Sequence, residues 1–501
     1  MRWVCGDGGI LPMNISVELK AAARRAGNKV ALIDETRRLT HNELAAGSEA
    51  LAARFLAEGL TAGDRVAIHA PNSIDTALAI IACFHAGLVA VPINVRFKAE
   101  EVEYIIGHCK PRLMFVHSTL AGPLRAIMGR APSLQVWTEL PKLDSGRPLE
   151  TLDSDLPALV LYTSGTTARP KGVTHTLRTL MASAHTMYGV GIDSSTVSLV
   201  ALSMMHTAGL CCTLLPPVLR GGTAVLLAKF DAAMVLDAVE RHHCTWTIIL
   251  PALMQSVAVE QERQPRNLGS MRYWLTGGDC ASLTLQTRWQ QLSGRPLTEG
   301  YAMSESMIMT YNRANEIRAG SIGKAAEGVE IVILDRDFKP AAPGVIGQIA
   351  CRSPANFIRY WEDASATANA FHGEWMLTGD LARMDEDGFI WFHGRLKEII
   401  IRAGSNISPQ EVEEVLVRHP AVLEAGVIGA KDEVLGERVH AFVTRREGRS
   451  LHERELIEFA RLSLADYKTP ERIVFLDTMP KGITGKVQRR ALKDLYPASV
   501  G

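Results

Sequence analysis

The sequence predicts an α/β protein: a large N-terminal domain of parallel αβ-layered sheets carrying a small β-rich subdomain, then a small α+β C-terminal domain. Three observations predict it. Short apolar runs alternate with helical patterns from about residue 39 to 321, as parallel sheets covered on both faces require. After Ser321 the texture changes to short strands around Pro340, Pro343 and Gly344. Past Gly394 the order restarts as strand, helix, strand, strand, helix, strand. At 501 residues the chain can bury a large core, and its length implies more than one domain.

Taken in order, residues 1–12 lack the charged and apolar regions of a signal peptide and read as a loose tail. Thr40 and Glu43 have capping-box spacing ahead of Leu44, Leu51 and Leu56, so a helix starts there. Strands are expected at 65–69, 88–93, 113–116, 197–202, 223–227, 246–250 and 272–275. Apolar helical patterns cover 73–86, 232–242 and 283–292. The β-rich subdomain contributes strands 329–334 and 346–351. The C-terminal unit reads as strand 399–401, helix 410–418, strands 423–428 and 439–444, helix 453–464 and strand 472–475. The expected division is therefore a tail at 1–12, a large domain at 13–394 and a small domain at 399–501, joined through 395–398.

Lys plus Arg and Asp plus Glu are equal at 54 each, which leaves no broad electrostatic case for nucleic acid or an anionic membrane. Nothing approaches about 18 uninterrupted apolar residues, so no transmembrane segment is expected. The eight cysteines form no Cys-x-x-Cys pair, and several sit in apolar runs as small hydrophobes. That usage fits a cytoplasmic protein with reduced thiols and no zinc site.

The chemistry concentrates in 162–172, Tyr-Thr-Ser-Gly-Thr-Thr-Ala-Arg-Pro-Lys-Gly. It lies between an apolar run, 157–161, and a segment, 176–188, with helical spacing. Thr163, Ser164, Thr166 and Thr167 supply hydroxyls, Gly165 lets the backbone approach closely, and Lys171 supplies an ammonium; a polyphosphate needs all three. Such stretches are also common surface turns, and taken alone the loop supports either reading. It is not a Walker loop, because Lys171 is followed by Gly172. The order of residues resembles the phosphate loop of the adenylate-forming (AMP-binding) superfamily, which holds acyl-CoA synthetases, the adenylation domains of peptide synthetases, and luciferases. Ala168 stands where that loop commonly has glycine.

The resemblance spans nearly all of 13–496 and implies roles for further motifs. Gly300-Tyr301-Ala302-Met303-Ser304-Glu305 follows a short strand-like segment. A carboxylate there is well placed for magnesium on a nucleotide, although a solvated loop glutamate is the commoner meaning. By resemblance Gly300, Tyr301 and Ala302 border ATP, Ser304 contacts its phosphates, and Glu305 binds Mg2+ and is catalytic together with Thr163. Asp380, in Thr378-Gly379-Asp380, resembles an aspartate that accepts both ribose hydroxyls. Arg395 would bind ribose or phosphate, Lys397 falls at the interdomain hinge of a mobile C-terminal domain, and Gly404 and Ser405 line the approach of the thiol. Glu398 stands where many relatives carry aspartate. Lys486, in Gly485-Lys486, is by itself an ordinary surface charge. By resemblance it swings in to neutralise charge as a carboxylate meets the α-phosphate, a large electrostatic contribution.

Two segments are expected to shape the substrate pocket. Met204-Met205-His206-Thr207-Ala208-Gly209 resembles a family segment ending in an aromatic–histidine pair. His206 reads equally as a catalytic residue or as a satisfied core histidine. Gly277-Gly278-Asp279 resembles a loop beside adenine and the acyl group, with Asp279 replacing a common alanine. With 247–250 and 301–303, these segments are mainly apolar and hold neither lysine nor arginine. The expected substrate is a hydrophobic monocarboxylic acid, fatty or aromatic.

The implied reaction is ATP-dependent formation of acyl-AMP and pyrophosphate, followed by rotation about Lys397 and displacement of AMP by a thiol. The favoured thiol is coenzyme A, since no carrier domain follows Lys486 and the path from Glu305 to Gly320 is short. A monomer or homodimer is expected. Two readings stand beside this: an adenylating enzyme that loads a carrier-protein thiol, and a non-catalytic nucleotide-binding homologue. The latter would be favoured were Lys171, Glu305, Asp380, Arg395 or Lys486 missing, and all are present.

Overall fold

The computed structural model describes residues 14–130, 133–141, 152–163, 170–313, 315–403, 405–482 and 486–495. Packing divides the chain into two compact units, Met1–Ile331 with Cys351–Met376, and Val332–Ala350 with Leu377–Gly501. The expected boundary at 394 falls inside the second unit, where Trp375–Met384 and Ile390–Arg395 pair as antiparallel strands.

Two mixed sheets build the first unit. One has seven strands in the order Arg359–Tyr360, Lys171–Thr176, Pro157–Thr163, Val89–Pro92, Arg65–His69, Leu113–Val116, Gln135–Trp137. Its first two junctions are antiparallel and the rest parallel. The other has nine strands, Lys324–Ala325, Met307–Tyr311, Leu297–Met303, Tyr273–Gly277, Trp246–Ile248, Val197–Val200, Thr223–Leu226, Val30–Ile33, Arg38–Thr40. Its centre is parallel and its margins antiparallel. Val89–Pro92, Leu113–Val116 and Thr223–Leu226 are buried at every residue, as continuous apolar runs between helical layers must be. The helix His41–Ala57 opens with the Thr40–Glu43 capping box, and Ile74–Ala86 is capped by Ser73 and stopped by left-handed Gly87.

One difference from expectation bears on function. The stretch read as a phosphate loop is followed not by a helix but by a strand, Lys171–Thr176, and only then by the helix Leu177–Tyr188, capped by Thr176. Gly172 hides that strand in the sequence. A Cβ there would stand 2.9 Å from Val160 Cγ1 and 3.0 Å from Trp361 Cβ, so the glycine serves close packing. The segment around Thr298 is likewise longer than expected. It runs Leu297–Met303 and turns back through Ser304 and Glu305 into Met307–Tyr311.

In the second unit a five-stranded sheet, Ser405–Ile407, Ile400–Arg402, Gly436–Arg445 and Val422–Asp432, with Arg472–Leu476 parallel to Gly436–Arg445, packs on helices Pro409–Val417 and Glu453–Arg461. Its core includes Val412, Leu416, Val427, Val439 and Leu456. The seven described cysteines are free, and six of them are buried. Burial pushes the thiols of Cys109, Cys212, Cys244 and Cys351 up to about 12. Among the described residues no helix is long and apolar enough to cross a membrane.

Buried histidines give the fold an acid-sensitive side. Desolvation lowers the pKa of His85 to about 3, and those of His175 and His185 to about 4, from 6.5. Between those values the unfolded chain binds protons that the folded chain refuses, so stability falls as pH falls, by about 1.4 kcal/mol per unit per histidine. Going from pH 7 to pH 5 is expected to cost roughly 4–6 kcal/mol, read as a lower melting temperature. An unchanged melting temperature would show that these rings tolerate charge.

Candidate active site

Thr163 and Lys171 are cross-strand partners where the hairpin of Pro157–Thr163 and Lys171–Thr176 opens. Ser164, Gly165, Thr166 and Thr167, between them, lie outside the described residues. The hairpin is braced from behind. Tyr104 Oη donates to the Pro170 carbonyl at 3.2 Å, and Tyr162 Oη meets His108 Nδ1 at 2.7 Å.

Lys171 Nζ stands 4.7 Å from the centre of the Tyr360 ring, and Tyr360 Oη donates to Glu305 Oε1 at 2.8 Å. The phenol holds an ammonium on its face and a carboxylate on its hydroxyl. Burial, and then the Glu305 charge, push the Tyr360 hydroxyl well above its usual range, so it remains a donor at neutral pH.

A second link runs through His175, which is fully buried. Its Nε2 lies 2.7 Å from the Ser304 carbonyl and its Nδ1 lies 3.1 Å from Thr179 Oγ1. A carbonyl only accepts, so the neutral ring carries its proton on Nε2 and accepts from Thr179. Ser304 Oγ in turn meets Thr207 Oγ1 at 3.0 Å. Backbone bonds from Phe357 to Glu305 and from Trp361 to Gly172, at 2.7 and 2.6 Å, stitch the hairpin to the Ser304–Glu305 turn.

Gly277 and Gly300 are neighbours on parallel strands; a Cβ on Gly277 would stand 2.6 Å from the Gly300 carbonyl oxygen. Beyond them Gly278 takes a left-handed φ of 82°, and Asp279 is exposed. The turn is anchored by Glu299, which is buried and accepts from Ala281 N–H and Gln286 Nε2, each at 2.7 Å. Tyr301 is buried and Ala302 half-buried. His206 is exposed, which corrects the reading of a core histidine. The cause is local: Asn72 clamps the loop, accepting from Met204 N–H at 2.7 Å and donating to the Leu202 carbonyl at 2.9 Å. Met204 and Met205 are buried by it and His206 turns outward.

The second unit holds the remaining candidates. Asp380 and Arg395 are cross-strand partners, 3.4 Å apart, with the carboxylate buried and the guanidinium exposed. Lys397 is exposed in the short turn Leu396–Glu398. Ser405 pairs with Arg402; Gly404 lies outside the described residues. Lys486 is exposed on a hairpin closed by a Gly482 N–H bond to its carbonyl at 2.7 Å. Tyr360, His175, Asn72 and Glu299 were not among the residues expected from the sequence.

The profile of the AMP-binding enzyme family matches residues 19–361, and that of the AMP-binding enzyme C-terminal domain matches 411–486. The chain belongs to the AMP-binding enzyme family. It is 34% identical to a 2-succinylbenzoate–CoA ligase of Geobacillus kaustophilus, over 96% of this chain and 97% of that one. It is 31% identical to a sulfoacetate–CoA ligase of Cupriavidus necator, over 92% and 93%. Among solved structures it resembles ATP-bound MatB from Rhodopseudomonas palustris, with a TM-score of 0.91, 26% identity, and coverage of 98% of this chain and all of that one. This AMP-binding enzyme is an acyl-CoA ligase that uses ATP, Mg2+ and coenzyme A. The residues present fit the metal. Among the described residues no cluster of three or more His, Cys, Asp or Glu is disposed to hold one. Magnesium on a nucleotide needs only one or two carboxylates besides phosphate and water, and Glu305, which accepts from Tyr360, is a carboxylate that would serve.

Proposed function

We propose that this AMP-binding enzyme activates a hydrophobic monocarboxylic acid, aliphatic of medium or longer chain or aromatic, and transfers it to coenzyme A. The observation that carries the acid is the lining of the expected acyl segments. Met204, Met205, Leu210, Cys211, Ile248, Ile249 and Tyr301 are buried, and 204–211, 247–250, 277–279 and 301–303 contain no lysine or arginine. A second carboxylate buried there would lack a fixed cation, at a cost of several kcal/mol. Relatives named for 2-succinylbenzoate and for sulfoacetate are about equally similar, so side-chain chemistry and not likeness selects the acid.

In this reading Lys171, Ser304 and the loop from Thr163 to Thr167 hold the phosphates. Glu305 would hold Mg2+, which supplies charge neutralisation at the phosphates. Asp380 receives the ribose hydroxyls beside Arg395, and Gly278, Asp279, Gly300, Tyr301 and Ala302 border the nucleotide and acyl group. His206 stands at the acyl end. A carboxylate oxygen attacks the α-phosphorus, the bond to pyrophosphate breaks, and Lys486 balances the gathering negative charge. The part of the chain beyond the Lys397 hinge then turns, the thiol arrives past Gly404 and Ser405, its sulfur bonds the carbonyl carbon, and AMP departs with the electron pair of the broken anhydride bond.

The test is kcat/KM for octanoate, benzoate and malonate, followed by CoA-dependent AMP release. Octanoate or benzoate is expected to exceed malonate by at least about 10²-fold, the kinetic equivalent of one unpaired buried charge. Malonate as the best substrate would overturn the acyl-pocket reading. ADP and phosphate as products would overturn adenylation itself.

A further inference from the structure

Arg489 ties together three parts of the second unit. Its Nη1 donates to Glu398 Oε2 at 2.8 Å, in the turn Leu396–Glu398. Its Nη2 donates to both oxygens of Glu413, each at 2.8 Å, on the helix Pro409–Val417. Its Nε donates to the Val427 carbonyl at 3.2 Å, and Glu413 returns the bond by accepting Val427 N–H at 2.7 Å. Arg489 opens the helix Arg489–Leu495, three residues beyond Lys486. The Lys486 hairpin is closed on the same spot. Gln488 N–H donates to the Pro480 carbonyl at 2.9 Å, Val487 pairs with Lys481, and Val487 and Leu492 pack so tightly on Gly426 that a Cβ there would meet them at 2.9 and 2.7 Å. A guanidinium that bridges two carboxylates in one plane is a rigid connector, and a lysine in its place would be a point charge without the fork.

We propose that Arg489 is a positioning residue for Lys486. It locks the turn that carries Lys397 and the backbone that carries Lys486 into one body, so the base of the Lys486 side chain travels with the turn. Glu398 has the length this requires, since an aspartate on the same backbone would end about 1.5 Å short of the guanidinium. The proposal rests on the reading of Lys486 as the adenylation lysine and of Lys397 as the hinge.

The test compares Lys486→Ala, Arg489→Met and the double variant in the full-length enzyme, using the acid chosen by the octanoate, benzoate and malonate panel. Acid-dependent ATP–pyrophosphate exchange reads adenylation, and supplied acyl-adenylate with coenzyme A reads the second step. Arg489→Met is expected to slow exchange by about 10- to 10²-fold, the scale of a catalytic group displaced by about an ångström, and to leave the second step within about threefold. In the Lys486→Ala background it should add less than about twofold, because a residue that acts only through Lys486 then has nothing to position. Should Arg489→Met fail to fold, Glu398→Gln, which leaves the Glu413 pair intact, carries the same comparison. Additive losses in the double variant, or equal losses in both steps, overturn the proposal. If Lys486→Ala itself spares exchange, the reading of Lys486 fails and the proposal falls with it, a result told apart by the single variant alone.

Discussion

Lys486→Ala is expected to slow acyl-adenylate formation by at least about 10²-fold, the usual effect of losing one electrostatic group aimed at developing charge. The reason is the charge count at the reacting centre. A carboxylate and an α-phosphate are both anionic, and Coulomb repulsion rises as their atoms approach within bonding distance. Lys486 is exposed, and among the described residues no carboxylate pairs with its ammonium. Thioester formation from supplied acyl-adenylate should survive, because that step replaces an anhydride bond at carbon and brings no second anion to phosphorus. Equal loss in both half-reactions would remove Lys486 from the adenylation step.

Lys397→Pro should separate the two steps in the opposite sense. Proline fixes φ near −65° and removes an N–H, and Lys397 lies in a short turn whose rotation would have to change backbone dihedrals. Adenylation should continue within about threefold, while thioester formation falls by about 10²-fold, if turning about this residue gates the second chemistry. Rapid-quench measurement of acyl-adenylate and thioester in one time course reads both. Both products appearing at the parent rates would place the hinge elsewhere.

Much of the layering was legible because buried parallel strands and amphipathic helices announce themselves by composition and period. The C-terminal elements appear at nearly the expected residues, with one further strand, Ser405–Ile407, ahead of the first helix. What stayed hidden was set by packing. Gly172 interrupted the pattern of a strand that exists because Trp361 and Val160 close over it. The partner of Glu305 is Tyr360, 55 residues away, that of Ser304 is His175, at 129, and the clamp on Met204 is Asn72, at 132. No local spacing encodes such pairs. The hydroxyl–glycine–lysine run at 163–171 stands out for the converse reason: the residue types that suggest phosphate are neighbours in the sequence itself. His206 shows the limit of that approach, since the sequence left a pocket residue and a core histidine equally open and its exposure is seen only in the fold, where Asn72 clamps the loop.

The burial of the cysteines has a consequence for the enzyme's durability. An acyl-adenylate acylates any thiolate it meets, so an enzyme that makes one is exposed to self-modification at every cycle. Six of the seven described cysteines are shut inside the fold, and four of them hold their protons up to about pH 12. At neutral pH such a thiol is ionised about once in 10⁵, so it is a poor nucleophile even where it is reached. A cofactor thiol dissolved in water carries no such handicap and captures the acyl group instead. Side chains kept for packing thus withhold six thiols from the intermediate, while Cys280, half-buried next to Asp279, is the described thiol left open to it.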